Sequence, residues 1–252
     1  MLRRVACHCG AANAHRADCI YARLFEPVRM EATGPSGFRD HPRPFVFRAR
    51  DLDGRTVEPG NSFCFAIHVF EMRLPLADLL KTVFSELASD GLGPTRGRSE
   101  LIGMERQMHS IDLENPAVAA GRLRIEFLTP TELKGGEEPV FSLLFARIRD
   151  RVGTLRALYG GGPLDIDFRG MAARAAEISM PLCEIGELQA LRHSTRTGQR
   201  HPLYGFVGAA EYTGALTEFL PFLQAAVWTG VGRQTVWGKG ELSVQPLRPD
   251  ER

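Results

Sequence analysis

No apolar run in this 252-residue chain approaches the roughly 18 residues of a membrane span, so no membrane partner is expected. The opening stretch MLRRVACHCGAANAH has basic residues but not the continuous apolar core of a signal peptide, and a cytoplasmic protein is expected. Hydrophobic content of 44% with mixed charge excludes a disordered or collagen-like chain. The length suits two small domains, each able to bury a core of its own. Paired C-x-x-C knuckles are absent as well. Cys7, Cys9 and Cys19 crowd the amino terminus beside His8 and His15, a grouping that in a reducing compartment is a metal site or a set of free thiols rather than a disulfide framework. The spacing C-x-C-x9-C is irregular for zinc. No metal and no cofactor is therefore assigned, and the choice between metal and free thiols stays open.

Lysine is nearly missing. Only Lys81, Lys134 and Lys239 are lysine among 31 basic residues, and the other 28 are arginine. A GC-rich genome gives such a bias, and so does an anionic partner, because guanidinium groups grip phosphates through paired donors and stack on bases. Distribution adds to the second reading. Residues 1–50 carry nine arginines against four acids, and residues 192–240 carry five basic residues against two acids, within a chain of net charge +1. Polarity of that kind suits an anionic partner docked at one place.

Gly and Pro break up the first fifty residues, which read as a loop-rich approach. From residue 61, NSFCFAIHVFEM alternates like a strand, LPLADLLKTVFSELASDGLG has helical spacing and a glycine stop, and RSELIGMERQMHSIDL reads as one or two further strands. After ENPAVAAG the pattern restarts: strand RLRIEFLTPTEL, helix PVFSLLFARIRDRVGTLRALYG, a second helix around DFRGMAARAAEI, a strand pair around the polar turn of ALRHSTRTGQRHPLYGFVGAAEYTG, helix ALTEFLPFLQAAVWTG and a last strand GELSVQPL. This order predicts an α+β protein with two tandem ferredoxin-like (RRM-like) domains, residues 1–115 and 116–252.

A glycine-rich loop, GVGRQTVWGKGEL, precedes the last strand and sets Gly230, Gly232, Gly238 and Gly240 around Arg233 and Lys239. Bare backbone of this kind lets amides approach a phosphate closely. It is not a nucleotide-binding P-loop, since Lys239 is followed by Gly240 rather than Ser or Thr. Nor is it a dinucleotide fingerprint, because it follows a helix and precedes a strand. A tight turn packed on neighbouring strands is the other reading.

The run RHSTRTGQRHPLYGFVGAAEYTGALTEFLPFLQAAVWTGVGRQTVWGKGELSV resembles the carboxy-terminal domain of CRISPR-associated endoribonucleases of the RAMP superfamily. In those proteins an S-x-R-x-G-x-R segment leads into P-L-x-G-x-V-G, a helix of the F-L-P-x-L kind and a G-x-G-x-x-T-x-x-G-x-G loop. All four are present in order. CIYARLFEP, HPRPFVFR and FLTPTELK resemble further segments of the bacterial relatives. Two departures stand out. The relatives begin with another strand and helix, so the first domain is expected to be trimmed at its amino terminus, and many carry four cysteines where this chain has three. The short, arginine-rich form is similar to the processing nuclease of type IV systems.

The resemblance implies a metal-independent cut within the repeats of precursor CRISPR RNA, in which a 2′-hydroxyl attacks the adjacent phosphate to leave a 2′,3′-cyclic phosphate and a 5′-hydroxyl. It also implies retention of the mature guide RNA and association with other CRISPR effector subunits. Such chemistry needs a base, an acid or a clamp on the developing phosphorane. His193 and His201, flanking the arginine segment, are candidates for the first two. Converging arginines are the alternative, with Arg23 in the YARLFEP segment foremost, set against its reading as a salt bridge to Glu26. RNA contacts are expected from Arg39, Arg192, Ser194, Arg196, Arg200, Arg233, Lys239 and the four loop glycines, with Tyr21, Phe38, Tyr204 and Trp237 available for stacking. A non-catalytic RNA-binding subunit of a CRISPR effector complex is the alternative function.

Overall fold

The computed structural model describes residues 2–9, 15, 16, 18–26, 40–74, 76–93, 95–116, 118–193 and 200–247, with backbone placement only for Leu2, Arg4, 189–193 and 200–203. These residues form two compact units. One gathers the residues before 45 with residues 71–110; the other gathers residues 45–70 with those from 111 onward. The single cut near residue 115 that element order suggests therefore becomes an exchange, in which the segment 45–70 goes with the carboxy-terminal unit.

The first unit holds α1 (Leu2–Ala6), α2 (Ile20–Phe25) and α3 (Leu76–Asp90). Helix α3 buries Leu76, Val83 and Ala88 on one face and stops at Gly91, whose φ of 103° is open to glycine. Two expectations fail in this unit. The segment around CIYARLFEP is a helix rather than a loop, because Ile20, Leu24 and Phe25 recur at helical spacing once Cys19 starts the turn. Residues 98–112 form no strand, since most are exposed and have no ladder to join.

The second unit carries β1 (Phe45–Arg48) and β2 (Ala66–Val69), paired antiparallel. It continues with β3 (Arg122–Thr131), α4 (Phe141–Tyr159), α5 (Phe168–Ala176), β4 (Ser179–His193), β5 (Arg200–Thr213), α6 (Leu220–Thr229) and β6 (Leu242–Pro246). The sheet order β4-β5-β3-β6 is antiparallel throughout. Read from β6 this is 4-1-3-2, the ferredoxin-like arrangement. Strand β3 alternates as a half-buried strand should, with Leu123, Ile125 and Phe127 turned into the core. They meet Phe141, Leu144, Phe145 and Ile148 of α4 and Leu220, Phe222, Leu223 and Ala226 of α6. The buried Tyr212 hydroxyl donates to the Pro139 carbonyl at 2.6 Å, which satisfies the one polar atom of that ring.

The opposite face of the sheet has paired charge. Arg122 donates to Glu211 at 2.6 Å and Arg124 at 3.3 Å, and these guanidinium groups, Arg122 first, hold the Glu211 carboxyl below its usual range.

Candidate nucleic-acid interface

Three stretches far apart in sequence meet at one end of this sheet. Strand β3 contains Pro130, which cannot complete a ladder, and its register with β5 shifts between Phe127 and Thr131. The glycine-rich segment fills the gap. Leu128 N–H donates to the Glu241 carbonyl at 2.8 Å, Gly240 N–H to the Pro130 carbonyl at 3.1 Å, and Arg233 N–H to the Glu132 carbonyl at 3.0 Å. The Thr129 hydroxyl donates to the Gly238 carbonyl at 2.8 Å and accepts from Glu241 N–H at 2.9 Å. From the third stretch, a Cβ at Gly205 would lie 2.6 Å from Thr131 N, so β5 also runs close against this bulge.

All four loop glycines have positive φ, but what they approach is the chain itself. A Cβ on Gly240 would lie 1.8 Å from the Val231 carbonyl oxygen, and one on Gly232 would lie 2.4 Å from that of Glu132. Gly230 and Gly238 face the carbonyls of Gly240 and Phe47. The expectation that the bare backbone serves RNA approach thus gives way to close packing of the segment on β3 and on itself.

The two cations separate. Arg233 is 68% exposed and donates to Glu132 Oε1 at 2.7 Å. Lys239 is 2% exposed, and its ammonium reaches the Tyr204 carbonyl at 2.6 Å, Gln234 Oε1 at 3.2 Å and Glu132 Oε2 at 3.3 Å. With three donors and three partners, Lys239 is a tie between the glycine-rich segment and β5 and not the phosphate holder that its place among glycines suggests. Burial lowers its pKa, and Glu132 offsets part of that shift. Replacing Lys239 with Met is expected to cost about 2–4 kcal/mol by leaving Glu132 and the Tyr204 carbonyl short of a donor. Arg233→Ala should leave stability within about 0.5 kcal/mol. Urea unfolding of the two variants checks the contrast.

Around that tie, Tyr204 is 51% exposed and Trp237 47% exposed, so aromatic surface accompanies Arg233. Just before it, α6 ends in a cationic clasp. Arg48 donates to the Val227 and Trp228 carbonyls at 3.0 and 3.2 Å, Arg151 to the Thr229 carbonyl at 2.9 Å, and His68 Nδ1 lies 2.9 Å from the Trp228 carbonyl. Cations at a helix carboxy terminus are favourable, and these groups fix where the glycine-rich segment starts. Burial, with Arg48 adding repulsion, pushes Arg151 down to about 10, which leaves it protonated at neutral pH.

Strands β4 and β5 extend past this site. β5 pairs with β3 only from Thr213 to Phe206, whereas it pairs with β4 as far as Arg200. Residues 188–193 and 200–205 therefore form a two-stranded ribbon about 20 Å long beyond the third strand. Arg192 faces His201 and His193 faces Arg200 at its far end, so four of the expected residues are neighbours in register. Ser194 and Arg196, like Arg39 and Phe38, lie outside the described residues.

In the first unit, the Arg23 side chain is 39% exposed and its partner is Glu71, not Glu26. Its Nε and Nη2 donate to Glu71 Oε2 at 2.8 and 2.5 Å, while Arg73 supplies its backbone N–H to Oε1 at 2.9 Å and its guanidinium to both oxygens. Burial pushes the Glu71 pKa up, but the bonds from Arg73 and Arg23 outweigh it and the net shift is downward. Glu26 instead lies 3.2 Å from His15 Nε2. Tyr21 stands between the His15 and Phe25 rings, at 5.5 and 5.6 Å. The possible metal ligands are also here: Cys7, Cys9, His15 and Cys19 bring their donor atoms within 4.8 Å of one another, and His15 is the member that counting cysteines does not find.

Among the described residues no helix is long and apolar enough to cross a membrane. Residues 1–125 match the family model of an N-terminal domain, AF_1859_N, and residues 125–242 match that of the CRISPR-associated endoribonuclease Cas6. Thermus thermophilus Cas6, in a product complex, shares the fold at a TM-score of 0.51, with 18% identity over 80% of this chain and 82% of that one. Another Cas6 product complex gives 19% identity over 81% and 83% at a TM-score of 0.49. In a further structure of the Thermus thermophilus protein the match spans 51% of this chain and 55% of that one, at a TM-score of 0.38. No curated protein matches. The Cas6 match covers the β3 bulge, the ribbon and the whole glycine-rich segment. Residues 125–242, a little under half of the chain, thus match the Cas6 family of CRISPR-associated endoribonucleases, and the fold is shared with a Cas6 across four-fifths of the chain.

Proposed function

We propose that this endoribonuclease cuts precursor CRISPR RNA within its repeats by attack of a 2′-hydroxyl on the adjacent phosphate, with no metal in the chemical step, and keeps the mature guide. The 2′-oxygen loses its proton and bonds to phosphorus, the bond to the 5′-oxygen breaks, and that oxygen takes up a proton. The single observation that carries the reading is the meeting of a ribbon with a basic far end, exposed Arg233, and exposed Tyr204 and Trp237 at one bulged end of a Cas6-type sheet. An anionic chain lying there has phosphate donors and stacking surfaces together.

In this reading Arg192, Ser194, Arg196, Arg200, Arg233 and Arg39 hold the RNA, and the four loop glycines shape the segment that displays Arg233. Arg23, oriented by buried Glu71, stabilises the phosphorane. His193 and His201 are the alternative acid and base. Other CRISPR effector subunits are the expected protein partners.

A second reading, a non-catalytic RNA-binding subunit, draws on the fact that two donors of Arg23 are already engaged by Glu71. Incubation with repeat RNA in EDTA separates the two. A discrete cut within the repeat supports the nuclease; binding without a cut, or a cut that needs added metal, overturns the proposed reaction.

A further inference from the structure

Three thiols and one imidazole converge in the first unit. His15 Nδ1 lies 3.3 Å from Cys7 Sγ and 3.4 Å from Cys19 Sγ, and the four donor atoms of Cys7, Cys9, His15 and Cys19 all fall within 4.8 Å of one another. A single ring nitrogen can give one hydrogen bond. Its short contact with two sulfurs is instead what four ligands around a shared centre produce. In tetrahedral zinc coordination, arms of about 2.3 Å to sulfur and about 2.0 Å to nitrogen put neighbouring donors about 3.5–3.8 Å apart, against 3.3 and 3.4 Å for the two nitrogen–sulfur separations here and at most 4.8 Å across the set.

Two further observations point the same way. His15 Nε2 lies 3.2 Å from Glu26 Oε1, the carboxylate partner that metal-bound histidines characteristically have on their other nitrogen. The Arg16 N–H donates to Cys9 Sγ at 3.3 Å, a bond that favours a charged sulfur. The surroundings also call for a staple. Helix α1 has five residues and α2 six, both well short of what holds a helix by itself. Cys7 follows the end of α1, its N–H bonded to the Arg3 carbonyl at 3.0 Å, and Cys19 caps the start of α2, its carbonyl accepting from Arg23 N–H at 3.0 Å. Ligands at those positions tie the two helices to one point.

We propose that Cys7, Cys9, His15 and Cys19 bind one structural zinc ion in a C-x-C-x5-H-x3-C arrangement that fixes α1 and α2 to each other. Three soft sulfurs with one imidazole select zinc over magnesium, calcium or manganese. A closed four-ligand site has no open position for chemistry, so the ion belongs to the fold and not to the RNA reaction.

Zinc content of protein purified under reducing conditions tests this without any RNA, so its outcome is independent of the nuclease reading. About one zinc per chain is expected, and Cys64→Ser and Cys183→Ser, outside the cluster, should keep it. His15→Ala should lower the content severalfold, and His15→Cys should restore it. Cobalt exchanged into the wild-type protein should give the absorption of a tetrahedral thiolate site. The proposal is overturned if wild-type protein refolded with excess zinc and reductant holds far less than one ion, if His15→Ala keeps a full complement, or if two of the three cysteines are found joined in a disulfide.

Discussion

Arg23→Ala is expected to slow single-turnover cleavage of repeat RNA by on the order of a hundredfold while changing RNA affinity little. A group that contacts the phosphorane more strongly than the ground-state phosphate acts on the chemical step, and loss of one such donor has that magnitude. Structure complicates the bare substitution, because it strips two hydrogen bonds from a carboxylate whose side chain is fully buried. A buried charge left short of partners is itself costly, although Arg73 stays on Glu71 here. The double variant Arg23→Ala with Glu71→Gln removes that charge. If Arg23 acts on the phosphate, the double variant regains stability and stays slow. Full recovery of the rate would show instead that Arg23 matters only as a partner of Glu71. His193→Ala and His201→Ala should each cost less than about tenfold if arginine carries the chemistry, and far more if either histidine moves the proton.

The second large effect concerns the ribbon. Replacing Arg192, Arg196 and Arg200 together by alanine should weaken repeat RNA binding about tenfold per residue, since hydrogen bonds to charged groups contribute about 1.5–3 kcal/mol each. The slope of log affinity against log salt should become shallower by about 2–3, at about 0.7–0.9 for each phosphate no longer neutralised. Arg124→Ala, on the sheet face where Glu126, Glu184 and Glu211 already surround it, should leave that slope unchanged. Filter binding across a salt series reads both quantities. An unchanged slope in the triple variant would remove the ribbon from the interface.

The parts of this chain visible in its sequence are those where local pattern and tertiary environment agree. Strand β3 alternates cleanly, the apolar residues of α4 recur at helical spacing over 19 residues, and β4 and β5 flank a polar stretch of sequence, so the part of the carboxy-terminal unit from residue 122 onward follows from periodicity. The first unit does not. Its helices α1 and α2 are too short for a period to show, and residues 98–112 have strand-like composition but no neighbouring strand to pair with. The site divides in the same way. Glycines around two cations mark a tight segment, but whether a cation faces solvent or a carboxylate a hundred residues away depends on the fold; Glu132 takes Lys239 inside and leaves Arg233 at the surface. Arg23 shows a related limit. Glu26 is near in sequence, yet Glu71 is the residue that reaches it, and Glu26 goes to His15. The same histidine completes the cysteine set, at a spacing that no zinc pattern built on paired cysteines would register.

The measurement that bears most directly on the account uses repeat RNA with a single 2′-deoxynucleotide immediately 5′ of the scissile phosphate, in EDTA. This RNA is expected to bind as tightly as the all-ribose repeat and not to be cut, and the all-ribose repeat to yield a 2′,3′-cyclic phosphate and a 5′-hydroxyl. Cleavage of the deoxy substrate at the same position, or products carrying a 5′-phosphate, would contradict the proposed reaction.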